Sequence, residues 1–565
     1  VLDNADNATI RGNYIGTNAA GNAALANAWE GIQLWNDTAN VLIRDNVISG
    51  NGRAGIRADG AGTGGTIRGN RIGVNAGGNA ALGNASGNSE GGIYLSSGVA
   101  AFTIGGTGAG EGNVIAGNTG NGITVGAVAG VTIQGNTIGL DAAGTVSLGN
   151  SGAGVRLDGA TNAVVGGAAA GARNTISANA SEGMLIRGGS GHTIQGNYIG
   201  TNTAGTPGFG NSGPGVTVDL GATNITIGGT GAGEGNRLVG NTTGVTVFNG
   251  ANAATILGNL IYNSTNLGID LNNDGVTAND AGDADGGANA SQNFPVLSSA
   301  VTTGTDIVIA GTLNSTASRT FRLEFFASAT GDGSGYGEGQ FFLGAMNVIT
   351  DAGGNASFTT PSFVVAVPLG YVVSATATDL TTSFTSEFGA HIAAAAPNTA
   401  PLNTAPATAN VNEDVVLAFT GGNQISVADT QSNVNAMQLT VTNGILNVTL
   451  AGAASISAGA NGSATLTVSG TQGDINATVA SLTYQGTPNF HGPDTLTVRS
   501  TDAGGLFDQD TVAITIAAVD DVNPAAGDDA FSTNEDTPLA TTVAGNDSVG
   551  VDAPGVWTVE TAAAN

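Results

Sequence analysis

VTIQGNTIG at residues 131–139 and HTIQGNYIG at residues 192–200 are two copies of one pattern: a short alternating strand, a Gly-Asn corner, and a two-residue strand closed by glycine. Working outward from them, a GN-x-[IVL]-like element recurs with its asparagine at Asn13, Asn46, Asn70, Asn113, Asn136, Asn174, Asn197, Asn236 and Asn259, at spacings of 33, 24, 43, 23, 38, 23, 39 and 23. Short and long intervals alternate, so the unit is a pair. A second element, G-[IVM]-x-[LVIA], keeps step at Gly31, Gly55, Gly92, Gly122, Gly154, Gly183, Gly215, Gly244 and Gly268. A third recurs as VLIR, FTIGG, VTIQG, HTIQG, ITIGG and ATILG.

Three short strands per repeat, each alternating and bounded by Gly or Asn, cannot bury their inward side chains alone. Stacked as parallel coils about 4.8 Å apart, they bury columns of Ile, Val and Leu and satisfy the backbone along the axis. The fold class is therefore all-β. The sequence predicts a right-handed parallel β-helix of about nine coils over residues 1–292, with a crossing hand that follows strand twist. Asparagine tolerates a left-handed corner, and its amide can bond to the amide stacked above or below. Asn46, Asn70, Asn113, Asn136, Asn174, Asn197, Asn236 and Asn259 thus read as a structural ladder, with Asn13 at its head. Insertions fall at two fixed places: after the IG of every second coil, as in GTNAAGNAALANAWE from Gly16, and in GGTGAGEGN at residues 105–113 and 228–236. These loops should line up along the rod as its working surface. The motifs resemble bacterial right-handed parallel β-helix repeat proteins found on surfaces and in secretions. That class includes polysaccharide lyases, hydrolases and esterases as well as adhesins, so the fold alone does not choose a function.

Composition narrows the field. The chain has 565 residues, 94 of them glycine, with 42 acidic residues against 13 arginines, no lysine and a formal charge of −29. Such a balance excludes nucleic acid as a partner. Cysteine is absent, so disulfides and thiolate metal sites are excluded, and an exported bacterial protein stabilised by calcium is expected. No stretch reaches the length of a membrane span. The chain opens within a repeat and stops within a module, as a piece of something longer would.

No residue is assigned a catalytic role. The single histidine of the first half, His192, stands where other copies carry Phe, Val or Ile, and an ordinary turn or strand-edge role is preferred. Glu30, Glu90, Glu111, Glu182 and Glu234 recur as loop carboxylates. Arg44 and Arg68, with Arg11, hold one repeat position; together with Arg57, Trp29, Trp35 and Tyr94 they are candidates to hold a glycan by charge and stacking. A solvated face with aromatic covering is the competing reading.

From Asp270 the run DLNNDGVTANDAGDADGG places Asp270, Asn272, Asp274 and Gly275 at positions 1, 3, 5 and 6 of an EF-hand-type loop, but position 12 is Ala281 rather than Glu. Asp280, Asp283 and Asp285 add nearby oxygens. A calcium site and a solvated acidic linker both stay open. Residues 293–394 read as an immunoglobulin-like sandwich, 395–410 as a Pro/Ala/Thr-rich extended linker, 411–522 as a second sandwich, and 523–565 as the start of another copy. VNEDVVLAF, LTYQGTPNFHGPDTLTVRSTDAGGLFDQDTVAITI and VDDVNP resemble the cadherin-like tandem repeats of large bacterial adhesins. The resemblance implies calcium ligands at Glu413, Asp502, Asp510, Asp520 and Asn523.

The sequence thus points to an extracellular or cell-surface adhesion protein that presents a β-helix to a polysaccharide or cell-surface glycan on calcium-stiffened modules. Two alternatives are kept: a polysaccharide lyase or hydrolase working on the loop face, and a self-associating filament component.

Overall fold

The computed structural model describes residues 1–60, 64–84, 90–96, 98–99, 101–248, 250–519, 527–528 and 530–538. The chain forms two compact units, Val1–Ala396 and Pro397–Asn565. The first opens with the expected right-handed parallel β-helix. Its three parallel sheets have ten, nine and nine strands, which is nine full coils and one closing strand, Ile269–Leu271.

Register explains why short strands suffice. In the first sheet Ile32, Ile56, Ile93, Ile123 and Val155 stand one above another. Ile104, Ile133 and Val165 do so in the second, and Ile48, Ile72, Ile115, Ile138 and Ile176 in the third. All are buried. A coil of this size contributes few apolar side chains, so its stability comes from the neighbours it stacks on.

The asparagine ladder runs as expected. The Asn113 side chain donates to Asn136 Oδ1 at 2.9 Å, Asn136 to Asn174 at 3.0 Å, and Asn174 to Asn197 at 3.0 Å, while each backbone N–H donates to the same neighbouring oxygen. One part of the expected mechanism is corrected. The ladder asparagines are not left-handed; the residue before them often is, as at Asp45, Gly69, Gly135, Gly196 and Gly258. At Gly135, with φ of +70°, a Cβ would also lie 2.2 Å from Gly106 O, so the corner tolerates only glycine.

A second ladder, unread in the sequence, joins Asn27, Asn51, Asn84, Asn118, Asn150, Asn179, Asn211 and Asn241, with amide bonds of 2.7–2.9 Å. Its signal was present as the GN of AGN, LGN, FGN and VGN before the glycine-led strand.

Residues 293–396 form an antiparallel sandwich of a three-stranded and a four-stranded sheet around Phe321, Leu323, Phe325, Val373 and Ala375. It belongs to the same compact unit as the helix and covers the last coil. The final coil has no successor, so its N–H groups lack the partners that every earlier coil finds. Three sandwich glutamates supply them. Glu324 accepts from Gly258 N at 2.7 Å; Glu338 from Asn263 N and Ser264 N at 2.7 and 2.8 Å; Glu387 from Leu271 N and Thr277 N, both at 2.9 Å. Burial raises all three carboxyls, and Glu387, with Asp270 beside it, is pushed up to about 7.

Among its described residues the second unit holds a six-stranded, a three-stranded and a two-stranded sheet and one α-helix, Gln472–Val479, capped by Thr471. The stretch expected as an extended linker, 395–410, contributes strands instead. Leu402–Thr404 pairs with Ser426–Ala428, and Thr408–Asn412 with Phe507–Ala517. Asn403 explains the first: it is buried and bonds to Asp508 and Ser500. The further copy expected over 523–565 lies almost wholly outside the described residues.

Candidate functional site

On the outer surface of the first sheet, residues Gln33, Arg57 and Tyr94 occupy the same position in successive coils. Gln33 and Arg57, with Trp29, Glu30, Trp35, Arg53 and Asp59, line an open groove of about 530 Å³, and Tyr94 stands beside it. Trp29 and Trp35 are 60% and 47% exposed, an unusual display for the largest apolar side chain. Arg53 lies over the Trp29 ring at 3.9 Å and Arg57 over Tyr94 at 4.9 Å. Arg57 is held by Asp59 at 2.6 and 3.1 Å and by buried Glu90, and these carboxylates hold its guanidinium firmly charged. Glu30 faces Arg53 at 3.7 Å. The groove therefore offers flat rings, fixed planar cations and acceptors, which is the donor set for a polyhydroxylated ligand.

Three of the six glycan candidates, Trp29, Trp35 and Arg57, line the groove, and Tyr94 stands beside it under Arg57. Arg44 and Arg68 do not. They lie with Arg11 on the second sheet. Asp45 bonds to Arg11 and Arg44 at 3.0 and 2.9 Å; burial works to raise its carboxyl, but the two guanidiniums hold it below the ordinary range. Arg68 pairs with Glu111. Asp45 and Glu111 thus offset two of the three positive charges at this repeat position. Arg53, which the sequence places near these residues, lines the groove, and so does Gln33, which the sequence does not single out, because the strand register brings positions a coil apart into line.

The metal candidates separate into several places. Asp280, Asp283 and Asp285 bring carboxylate oxygens within 4.8 Å of one another, the one such group among the described residues. Asp283 also accepts from Ser315 Oγ at 2.6 Å and from Asn293 N at 3.0 Å, and burial raises it. Asp270 is buried in its strand with Oδ1 unpartnered, and Asn272 donates to Asp274 at 2.8 Å; these do not join the triad. Glu413 is buried, accepts from Val519 N, and lies 3.8 Å from His491. Asp502 sits at the far end of the strand Gly492–Asp502, where it accepts from Asn398 and Leu506 N at 2.8 Å. About 33 Å of strand separates the two ends, so Glu413 and Asp502 cannot share an ion. Asp510 lies mid-sheet opposite Val498. Asp520 and Asn523 fall outside the described residues.

His192, in contrast, is packed into the rod. It accepts from Ala163 N at 3.2 Å, and burial pushes it down to about 4, so it stays neutral.

Residues 74–206 match the family described as periplasmic copper-binding protein (NosD). The match spans well under half of the chain and falls wholly within the β-helix. None of the curated proteins is similar to this chain. Among solved structures, the chain is similar to the fibronectin(III)-like modules of Clostridium thermocellum CbhA (16% identity, 40% of this chain and 94% of that one, TM-score 0.21). It is also similar to the enzymatically active domain of bacteriophage CBA120 tailspike protein 2 (11%, 70% and 72%, TM-score 0.27) and to Drosophila N-cadherin EC1–3 (14%, 35% and 56%, TM-score 0.12).

The copper in the family's description does not fit the side chains of the matched segment. Copper favours imidazole and sulfur. Residues 74–206 contain no cysteine, one histidine, the buried His192, and one methionine, Met184, packed in the core. The aspartate triad lies outside the segment and is all oxygen, a donor set suited to a hard cation such as calcium. Among the described residues no helix is long and apolar enough to cross a membrane.

Proposed function

We propose that this chain is an exported glycan-binding protein, a rigid β-helix that holds a polysaccharide on the Trp29–Trp35–Arg53–Arg57 groove and serves adhesion. The observation that carries the reading is the pair of exposed tryptophans set among clamped arginines on one sheet face. Sugar rings stack on such faces, while guanidinium and carboxylate groups bond to their hydroxyls. Export to the periplasm or the cell surface is supported by the wording of the matched family and by the cysteine-free composition. Calcium is proposed at Asp280, Asp283 and Asp285, and, through the cadherin-like and immunoglobulin-like resemblance of the sandwiches, near Glu413 and Asp502. Of the routes to self-association, the carboxyl end of the rod is covered by the chain's own sandwich.

A second reading, hydrolysis or lyase chemistry, is favoured by one observation: Glu30 and Asp59 line the same groove. One screen separates the two. The purified chain is exposed to acidic and neutral polysaccharides with calcium or chelator, and binding and chain cleavage are recorded together. Binding without new reducing ends or unsaturated products, weakened about tenfold or more by Trp35→Ala, is expected. Cleavage products would overturn adhesion in favour of the enzyme, and binding indifferent to Trp35→Ala would move the site elsewhere.

A further inference from the structure

A second cavity, of about 580 Å³, opens where the last coils meet the sandwich. Three arginines converge on it: Arg173 and Arg237 from the helix and Arg322 from the sandwich strand Thr320–Ser328. Its remaining wall includes Tyr198, Phe342 and the backbone of the glycine-rich loop 229–235. In a chain of formal charge −29 with 13 arginines and no lysine, three guanidiniums around one opening are a local reversal of sign.

The pairing of these arginines matters more than their number. Most arginines of the helix face a carboxylate: Arg11, Arg44, Arg53, Arg57, Arg68, Arg156 and Arg187 all do. Arg173 and Arg237, like Arg71 further up the rod, have none among the described residues. Instead, Arg173 stacks on Tyr198 at 4.0 Å and donates from Nε to Gly196 O at 3.2 Å. Arg237 donates to the Tyr262 hydroxyl at 2.8 Å. Both are thereby oriented without being neutralised. Arg322 is held by buried Glu324 at 3.0 Å, and that carboxylate is already engaged with Gly258 N. Among the lining residues three cations stand against Glu324, and Glu234 of the loop is turned in on Gly231 N, so the opening keeps a positive excess. Phe342, braced edge-on against Phe326 at 5.5 Å, is 39% exposed at its rim.

We infer that this cavity binds an acidic sugar residue, a pyranose bearing a carboxylate or sulfate, with the oxyanion between Arg173 and Arg237 and the apolar ring face on Phe342. A guanidinium fork matches a planar carboxylate or a sulfate edge, and a cavity of a few hundred Å³ accommodates one or two sugar units. The site exists only in the docked unit, since one guanidinium and the stacking ring come from the sandwich. It lies about four coils, roughly 20 Å, from the tryptophan groove along the rod, and it does not depend on that groove.

The test uses the full chain in titration calorimetry against four probes: a galacturonate oligomer, a sulfated oligosaccharide, a neutral cello-oligosaccharide and inorganic sulfate. Arg173→Gln, Arg237→Gln and Phe342→Ala are compared with Arg187→Gln, in the unaltered chain and in a Trp35→Ala background that disables the groove. With the groove already disabled by Trp35→Ala, the expected result is remaining binding of at least one acidic oligosaccharide, weakened about tenfold or more by each added arginine change and by added Phe342→Ala but not by added Arg187→Gln. Which of the two acidic probes binds more tightly identifies the oxyanion. If, in the Trp35→Ala background, the neutral oligosaccharide binds as tightly as the acidic ones, inorganic sulfate alone binds as tightly, or the arginine variants bind unchanged, the inference is overturned. Phe342 is exposed at the rim, so its variant keeps the test valid should an arginine change unfold the chain. Loss of binding only in Trp35→Ala would support the groove and overturn this cavity.

Discussion

At the scale of single residues, asparagine does what no other side chain could. Its amide offers one acceptor and two donors in a plane, so each ladder asparagine accepts from the coil before and donates to the coil after. Asn136→Ala leaves the Asn113 backbone and side-chain donors without their shared acceptor in a buried corner. We expect a loss of about 2 kcal/mol or more, read as a lower denaturant midpoint with unchanged slope. Asn13→Ala, at the exposed first corner, should cost less than about 1 kcal/mol; equal costs would show that stacking depth is irrelevant. The repeat made this ladder legible. The conformation beneath it was not, because positive φ passes to the preceding residue and depends on how closely the neighbouring coil approaches.

At the scale of elements, the three glutamates that close the last coil carry a pH dependence. Glu387 has its carboxyl raised in the fold, mainly by burial, so the folded state holds a proton that the unfolded chain releases. Stability from this group is therefore present below the ordinary glutamate range and is lost as pH rises through about 7. Its upper bound is roughly 3 kcal/mol. Glu387→Gln keeps an acceptor for Leu271 N without the charge, and its melting temperature should fall less between pH 5 and pH 8 than that of the unaltered chain. An identical fall in both would remove Glu387 as the cause. In the exit loop, calcium should raise the melting temperature of the unaltered chain and raise that of Asp283→Asn less, as measured by calorimetry with calcium and with chelator. An equal rise in both would place the ion elsewhere.

At the scale of the whole molecule, helix and first sandwich stand together as one compact unit. Residues 1–292 alone should expose the N–H groups of the last coil and the apolar end of the rod, and so melt lower and aggregate more readily than residues 1–396, as light scattering during thermal unfolding will report. Equal melting temperatures would mean that the glutamate cap contributes nothing. Periodicity in this sequence determined the coil count, the inward columns of Ile and Val, the Asn13–Asn259 ladder and the antiparallel modules that follow, because stacking repeats the same local chemistry at each step and writes it into the chain. The tertiary structure alone decided that Arg44 and Arg68 leave the tryptophan groove while Gln33 joins it, that 402–404 and 408–412 form strands, and that Arg173, Arg237 and Arg322 share a cavity. Those outcomes depend on loop lengths that set which outward side chains face each other and on a docking that joins residues far apart in sequence, and no local pattern records either.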